Sequence, residues 1–370
     1  MATVAYDHHA FITQAFGGVS RYFTEIATCV PQHSTLQTHV IAPLHLNQHL
    51  ANAEVSKSAL YQPWRFRGSD RLNQLAARLA SPLLLRMRRP DIVHWTSYSP
   101  PQKAPPSSRT VVTVFDMIHE LLPDLVAPGD KSGQFKRQSV AAADHVICIS
   151  ENTKRDLQRL YNVPDSKITV THLAASPIFA ATDTSECLPT PERPYFLYVG
   201  NRGGYKGFDR TLRAFAASPR LQREVDLVAF GGPPFSSSER ELICFLGLAS
   251  GLVRHVRGDD SVLAEHYRRA RAFVYPSQYE GFGIPPLEAM GCGCPVACAD
   301  TSSIPEVVGD AALLFDPLQV DSIRDALETL CLDEAAREHY VRAGARRAQQ
   351  FSWDRCARET AAAYQALLGS

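Results

Sequence analysis

The residues best placed to do chemistry lie in one run, Glu280-Gly281-Phe282-Gly283-Ile284-Pro285-Pro286-Leu287-Glu288-Ala289-Met290-Gly291. Two carboxylates flank glycines that allow tight backbone turns close to a ligand. Pro285 or Pro286 suits the first position of a helix, where no N–H is missed. The run therefore predicts a helix N-terminus just after a turn, an end that favours a diphosphate. Glu288 is expected in the first helical turn, its carboxylate able to accept from paired hydroxyls such as those of a ribose. The competing reading has Glu288 merely complementing the helix dipole and Glu280 as a surface loop residue.

A second run, Gly200-Asn201-Arg202-Gly203-Gly204-Tyr205-Lys206-Gly207-Phe208, follows a strand-like segment and precedes a helix-like one. Arg202 and Lys206 place two cations in a flexible turn, where they can neutralise a departing diphosphate. Stabilising such developing charge is usually the main work of this kind of transfer. No Gly-Lys-Ser/Thr follows, so this is not a Walker loop, and the Gly-x-Gly-x-x-Gly dinucleotide turn is also missing. No Asp-x-Asp pair occurs in the chain, so protein cations and the helix end, rather than a metal, are expected to carry the charge. Cys292, Cys294 and Cys298 lie close together, but no Cys or His pair follows at zinc spacing. They read as small buried side chains in a strand, and no metal site is expected.

The elements that must position these residues are legible in the apolar runs. Val40-Ile41-Ala42, Ile92-Val93-His94-Trp95, Val111-Val112-Thr113-Val114-Phe115 and His145-Val146-Ile147-Cys148-Ile149 read as buried strands. Ser150-Glu151-Asn152-Thr153 then opens a helix with capping chemistry. The same alternation restarts after residue 190 with Tyr195-Phe196-Leu197-Tyr198-Val199, followed by Val225 to Phe230, Ala272 to Tyr275 and Pro295 to Cys298. Such order implies parallel α/β architecture. Ala180 to Pro194, rich in Thr, Pro and Glu, reads as a linker. Two Rossmann-like domains follow, with ligand expected between them at the carboxyl ends of the strands.

Composition agrees with a large folded chain. Its 370 residues are 45% apolar and 21% charged, enough for about two domains. Lys plus Arg and Asp plus Glu both number 38, a balance that argues against general nucleic-acid binding. The nine cysteines are odd in number and scattered, as expected of reduced thiols. The N-terminus lacks the pattern of a signal peptide, and no apolar run approaches the ~20 residues of a membrane span. A cytoplasmic protein is expected.

Trp64 to Arg89 stands apart. Arg65, Arg67, Arg71, Arg78, Arg86, Arg88 and Arg89 oppose Asp70 and interleave with leucines. Residues 64–89 could lie on an anionic membrane surface as a basic amphipathic helix, giving a peripheral position at the inner face of the cytoplasmic membrane. The plainer alternative is a core-facing helix with a solvated basic face. Pro82 is expected to interrupt the helix in either case.

The spacing from Glu280 to Glu288, with Gly-Phe-Gly and Pro-x-Leu-Glu inside it, resembles family 4 of the retaining glycosyltransferases. The resemblance extends over nearly the whole chain. It includes Tyr6-Asp7-His8, Gly17-Gly18-Val19-Ser20-Arg21-Tyr22, Asp116-Met117-Ile118-His119-Glu120, Ile149 to Lys154, Ile304-Pro305-Glu306-Val307 and Phe351-Ser352-Trp353. The subgroup it looks closest to includes mannosyltransferases of bacterial surface polysaccharide assembly.

That resemblance implies the GT-B fold, two Rossmann-like domains facing each other across an interdomain cleft. Residues 1–180 would bind acceptor, residues 181–353 the nucleotide sugar, and the terminal helix 354–370 would cross back to the N-terminal domain. It implies that Arg202 and Lys206 bind the donor diphosphate, Glu288 the ribose, and Glu280 the donor sugar hydroxyls. Gly281, Phe282 and Gly283 belong to the same donor loop, while Gly17 and Gly18 lie beside the phosphate and acceptor. Many relatives carry His where this chain has Phe115; Asp116 and His119 are the nearest substitutes. The expected reaction is a metal-independent transfer with retention and no cofactor. A hexose would pass from a nucleotide sugar, GDP-mannose first, to a glycan or lipid-linked acceptor. A UDP-sugar donor, a nucleotide-sugar epimerase and a non-catalytic nucleotide-sugar-binding protein are the alternatives.

Overall fold

The computed structural model describes residues 1–12, 14–64, 69–98, 104–125, 129–180 and 192–369. The chain forms two compact units, one of Met1–Leu173 with Ser352–Ser370 and one of Ala174–Phe351. Most of the Ala180–Pro194 segment, together with Arg65 and Arg67, lies outside the described residues.

The first unit is built on a seven-stranded sheet. Its strands are β1 (Thr3–Tyr6), β2 (Gln37–His45), β3 (Lys57–Tyr61), β4 (Ile92–Trp95), β5 (Arg109–Val114), β6 (His145–Cys148) and β7 (Ile168–Val170). Their order is β3-β2-β1-β4-β5-β6-β7, and every pairing is parallel. Every residue of β4 is buried, which is why that run is continuously apolar apart from His94: helices cover both faces of a parallel sheet. Ser150 caps the Glu151–Tyr161 helix by accepting from the Thr153 N–H at 3.0 Å. The Trp353–Gly369 helix packs on the Gly18–His33 helix of this unit. Its buried Tyr364 hydroxyl bonds Nδ1 of His94 and the Tyr6 hydroxyl.

The second unit has six strands: β8 (Tyr195–Val199), β9 (Asp226–Phe230), β10 (Val253–Val256), β11 (Ala272–Tyr275), β12 (Val296–Ala299) and β13 (Leu313–Phe315). They run in the order β10-β9-β8-β11-β12-β13, again all parallel. Both sheets thus reverse their winding beside the first strand of the unit. In open α/β sheets this switch point is where ligands bind, outside the carboxyl ends of the strands.

Three expectations are corrected. The Ser69–Arg88 helix runs through Pro82 without interruption; Pro82 is exposed, and a proline costs a helix one hydrogen bond and a local clash without having to end it. Of that helix's leucines only Leu85 is buried, as taken up below. Of the clustered cysteines only Cys298 lies in a strand; Cys292 and Cys294 precede β12, buried in the turn.

Candidate functional site

The loops after β8 and β11 flank the switch point of the second unit and carry Lys206 and Glu280. The Lys206 ammonium lies 2.6 Å from Oε1 of Glu280, with the two side chains 23% and 14% exposed. Burial opposes the lysine's charge, but Glu280 outweighs it and raises the Lys206 pKa above its ordinary value. A fixed cation is therefore held at the strand ends. The Gln278 N–H donates to the Tyr205 carbonyl at 2.8 Å, tying the two loops together. Gly207 allows the approach: its φ is +71°, and a Cβ there would stand 2.5 Å from the Pro276 carbonyl oxygen.

Glu280 is held from β12 as well. Its N–H donates to Ser302 Oγ at 3.0 Å, and Ser303 Oγ donates to the carbonyls of Glu280 and Phe282, each at 2.8 Å. The Phe282 ring is buried against Phe351, with centroids 5.8 Å apart, so Phe282 shapes the loop by packing. Gly283, at φ +114°, is the N-cap of the Ile284–Gly291 helix. Ile284, not a proline, takes the first helical position. Pro285 and Pro286 fall within the first turn and supply no N–H, so Gly283 and Ile284 hold the donors at this end.

Glu288 consequently lies in the second turn, beyond the predicted first turn. The helix begins at the residue after the left-handed Gly283, which places Glu288 fifth. Glu288 is 7% exposed, and its carboxylate accepts from the fully buried Tyr267 hydroxyl at 3.3 Å. Burial, followed by the Glu288 charge, pushes the Tyr267 phenol well above its ordinary range, so it remains a donor.

Arg202 shares the β8 loop with Lys206, but its side chain goes elsewhere. It is 3% exposed; Nε donates to Glu239 Oε1 at 2.7 Å and Nη1 to the Gly231 carbonyl at 3.0 Å, while Nη2 donates to the Pro233 carbonyl. Glu239 in turn closes the capping box of the Ser237–Phe245 helix. Arg202 thereby joins the loops after β8 and β9 across the Phe235 ring, 5.0 Å from the guanidinium.

In the first unit, Gly17 caps the Gly18–His33 helix without a side chain, leaving the first-turn N–H groups as the donors an anion would meet. Asp116 precedes Met117, the N-cap of the short Ile118–Leu121 helix, and its Oδ1 accepts from the Ile118 N–H at 3.1 Å. His119 Nδ1 stands 4.0 Å from Asp116 Oδ1, and Nε2 is 3.8 Å from Asp130. Buried Lys136 donates to Glu120 and to the Asp116 carbonyl, both at 2.8 Å. Phe115 turns to the aromatic core, edge-on to Tyr22 at 5.4 Å, so no polar side chain stands at that position.

A further cluster in this unit contains Asp7 and His8, which the sequence marked only as part of the resemblance and gave no role. Asp7 follows β1 and Thr96 follows β4, one on each side of the first switch point. Asp7 Oδ1 accepts from the Thr96 N–H at 2.7 Å and from its hydroxyl, while Oδ2 bonds His9 Nδ1. Burial favours the neutral acid, yet the His9 charge and hydrogen bond hold the Asp7 carboxyl well below the usual range. His9 is raised in exchange: burial opposes its charge, and Asp7 outweighs it. Asp7, His8 and His9 bring possible metal-ligand atoms within 4.8 Å of one another. The Asp7 carboxylate is engaged by Thr96 and by His9 Nδ1, and His8 Nδ1 stands 3.0 Å from Ser81 Oγ.

The chain matches two family models in succession. Residues 16–175 match Glycosyltransferase Family 4, and residues 183–347 match Glycosyl transferases group 1. It is similar to O-antigen chain mannosyltransferase B of Escherichia coli, with 35% identity over 238 residues, 62% of each chain. It is also similar to O-antigen chain mannosyltransferase RfbU of Salmonella typhimurium, 28% identical over 198 residues, which is 52% of this chain and 53% of that one. The matches thus span roughly half to three-fifths of those relatives' lengths. Among solved structures, sucrose-phosphate synthase from Thermosynechococcus elongatus superposes with a TM-score of 0.76 at 19% identity, covering 100% of both chains.

Proposed function

This chain belongs to the family 4 glycosyltransferases of GT-B fold, and on that premise we propose that it moves a hexose from a nucleotide-diphosphate sugar to a glycan or lipid-linked acceptor. The observation that carries this reading is the Lys206–Glu280 pair at the switch point of the second unit. A positioned ammonium beside a glycine loop can take up the charge that develops on a leaving diphosphate. Glu280 is suited to the donor sugar hydroxyls, and Glu288, oriented by Tyr267, to a ribose.

Mannose from GDP-mannose is the first choice of donor, supported by the two similar O-antigen chain mannosyltransferases. Assembly of a bacterial surface polysaccharide is the corresponding role. The transfer proceeds with retention. The acceptor hydroxyl attacks from the face that the diphosphate leaves; the bond from C1 to the phosphate oxygen breaks, and a bond from C1 to the acceptor oxygen forms. The hydroxyl proton passes to the departing phosphate oxygen, and a nucleoside diphosphate is released. Lys206 and the Gly283–Ile284 donors neutralise the leaving group without a metal, while Asp116 and His119 belong to the acceptor side.

The test is an incubation of the protein with GDP-mannose, UDP-hexoses and a panel of glycan and lipid-linked acceptors, with and without a chelator. The expected product keeps the donor's anomeric configuration by NMR and forms equally with chelator present. An inverted product would overturn the mechanism, and donor binding without turnover on any acceptor would favour a non-catalytic nucleotide-sugar-binding protein.

A further inference from the structure

The Ser69–Arg88 helix is inside out by the standard of a water-facing helix. Its buried positions are Ser69, Asn73, Ala77, Ser81 and Leu85, and the Asn73 amide finds no hydrogen-bond partner among the described residues. Only Leu85 enters the hydrophobic cluster with Ala5, Ile41, Val93 and Trp95, with Leu84 packed against its edge. The apolar residues instead face outward: Leu72 is 45% exposed, Leu75 54%, Leu79 69%, Leu83 59% and Met87 71%. Steps of three and four residues align them as one stripe along the helix. A surface helix in water shows the opposite arrangement, and an apolar stripe of this extent marks a docking surface.

The charge on this surface selects the partner. Arg71, Arg78, Arg86 and Arg88 stand on the helix against Asp70 alone. Arg71, Arg78 and Arg86 recur at intervals of seven and eight residues, along one margin of the stripe. Arg88 reaches Ser58 Oγ at 3.3 Å, setting the last helical turn beside β3, where Leu60 and Tyr61 are also exposed. Two copies meeting through this face would bring arginine margins into a shared interface, which like charge opposes. A bilayer of anionic phospholipid suits both features, taking leucines at the acyl boundary and arginines among the phosphates. No helix among the described residues is long and apolar enough to cross a membrane, so the contact is interfacial.

We infer that the Leu72–Met87 stripe and its arginine margin form the surface by which this chain lies on anionic phospholipid. The inference is independent of the donor-site reading, because its test requires neither donor nor acceptor. The full chain is floated with vesicles of equal parts phosphatidylglycerol and phosphatidylcholine, and separately with pure phosphatidylcholine vesicles. Binding is expected to the anionic vesicles only, and to weaken with added salt as the charges are screened.

The double substitution Leu79→Gln with Leu83→Gln should lower partitioning by about tenfold per leucine. Arg71→Gln with Arg78→Gln should weaken binding at low salt. All four side chains are exposed, so unchanged melting temperatures serve as the folding control. Failure to float, or equal flotation of parent and leucine variant, would overturn the inference. So would self-association that the leucine variant abolishes, which would assign the face to a second copy.

Discussion

Replacing Lys206 by Met separates what the Lys206–Glu280 pair does for stability from what it does for the reaction. The pair is close, at 2.6 Å, and its side chains are 23% and 14% exposed. Breaking a fully buried pair costs 3–5 kcal/mol, because the remaining charge is left uncompensated; partial exposure here reduces that to about 1–2 kcal/mol. For a unit of this size each kcal/mol corresponds to about 2–4 °C in melting temperature. Adding Glu280→Gln removes the orphaned charge, and the double variant should recover about 1 kcal/mol. Turnover should behave differently. Losing a cation that acts on the leaving diphosphate should lower kcat by roughly 100- to 1,000-fold, and removing the carboxylate cannot restore it. The assays are thermal unfolding of the four members of the cycle and nucleoside diphosphate release by each. If kcat recovers together with stability in the double variant, or never falls in Lys206→Met, the lysine's role in the transfer is refuted.

Three further outcomes follow from the geometry. Arg202→Ala should cost about 2–4 kcal/mol in chemical denaturation, because it strips three hydrogen bonds and leaves Glu239 without its cation; Arg202→Lys should recover only part of this, lacking the planar fork. Gly207→Ala should reduce donor affinity and melting temperature together, since the residue is at φ +71° and its Cβ would meet the Pro276 carbonyl. Acid should unfold the first unit before the second. Burial lowers His8, His39 and His45 to about 4 and His94 to about 3. The unfolded chain binds those protons near pH 6.5, so this stability is present above that value and falls on the order of 1 kcal/mol per histidine per pH unit below it. His9 works in the opposite direction, stabilising below its unfolded pKa and ceasing to do so as pH rises through its raised folded value. Hydrogen exchange near neutrality and near pH 5 would reveal the order of unfolding; equal protection of both units at the lower pH would contradict it.

Much of the fold could be read because parallel strands are covered on both faces. The runs forming β4, β8, β9 and β11 are buried along almost their whole length and, apart from His94 and Asp226, apolar. Edge strands such as β3 and β10 are half-exposed and mixed in composition, so their pattern does not separate from a loop. The candidate site was legible as two local runs: the Glu280 run and the glycine loop around Lys206 each span a dozen residues or fewer. Partners brought in by tertiary folding left no such mark, as with Glu239 on Arg202, Tyr267 on Glu288 and Thr96 on Asp7. Periodicity also predicted an amphipathic helix over residues 64–89 without saying which face turns inward. The core-facing alternative is met only at Leu85, with Leu84 beside it, because Ser69, Asn73, Ala77 and Ser81 occupy the rest of that side.

The central claim is that the second unit holds a nucleotide-sugar donor at its switch point, with Glu288 bonding the nucleotide. Calorimetric titration of the full chain and of Glu288→Ala with GDP-mannose and UDP-hexoses tests this most directly. One donor should bind the parent protein, and Glu288→Ala should weaken it about 10- to 100-fold, the worth of hydrogen bonds to a charged group. Binding of no nucleotide sugar to the parent, or equal affinity for both proteins, would contradict the account.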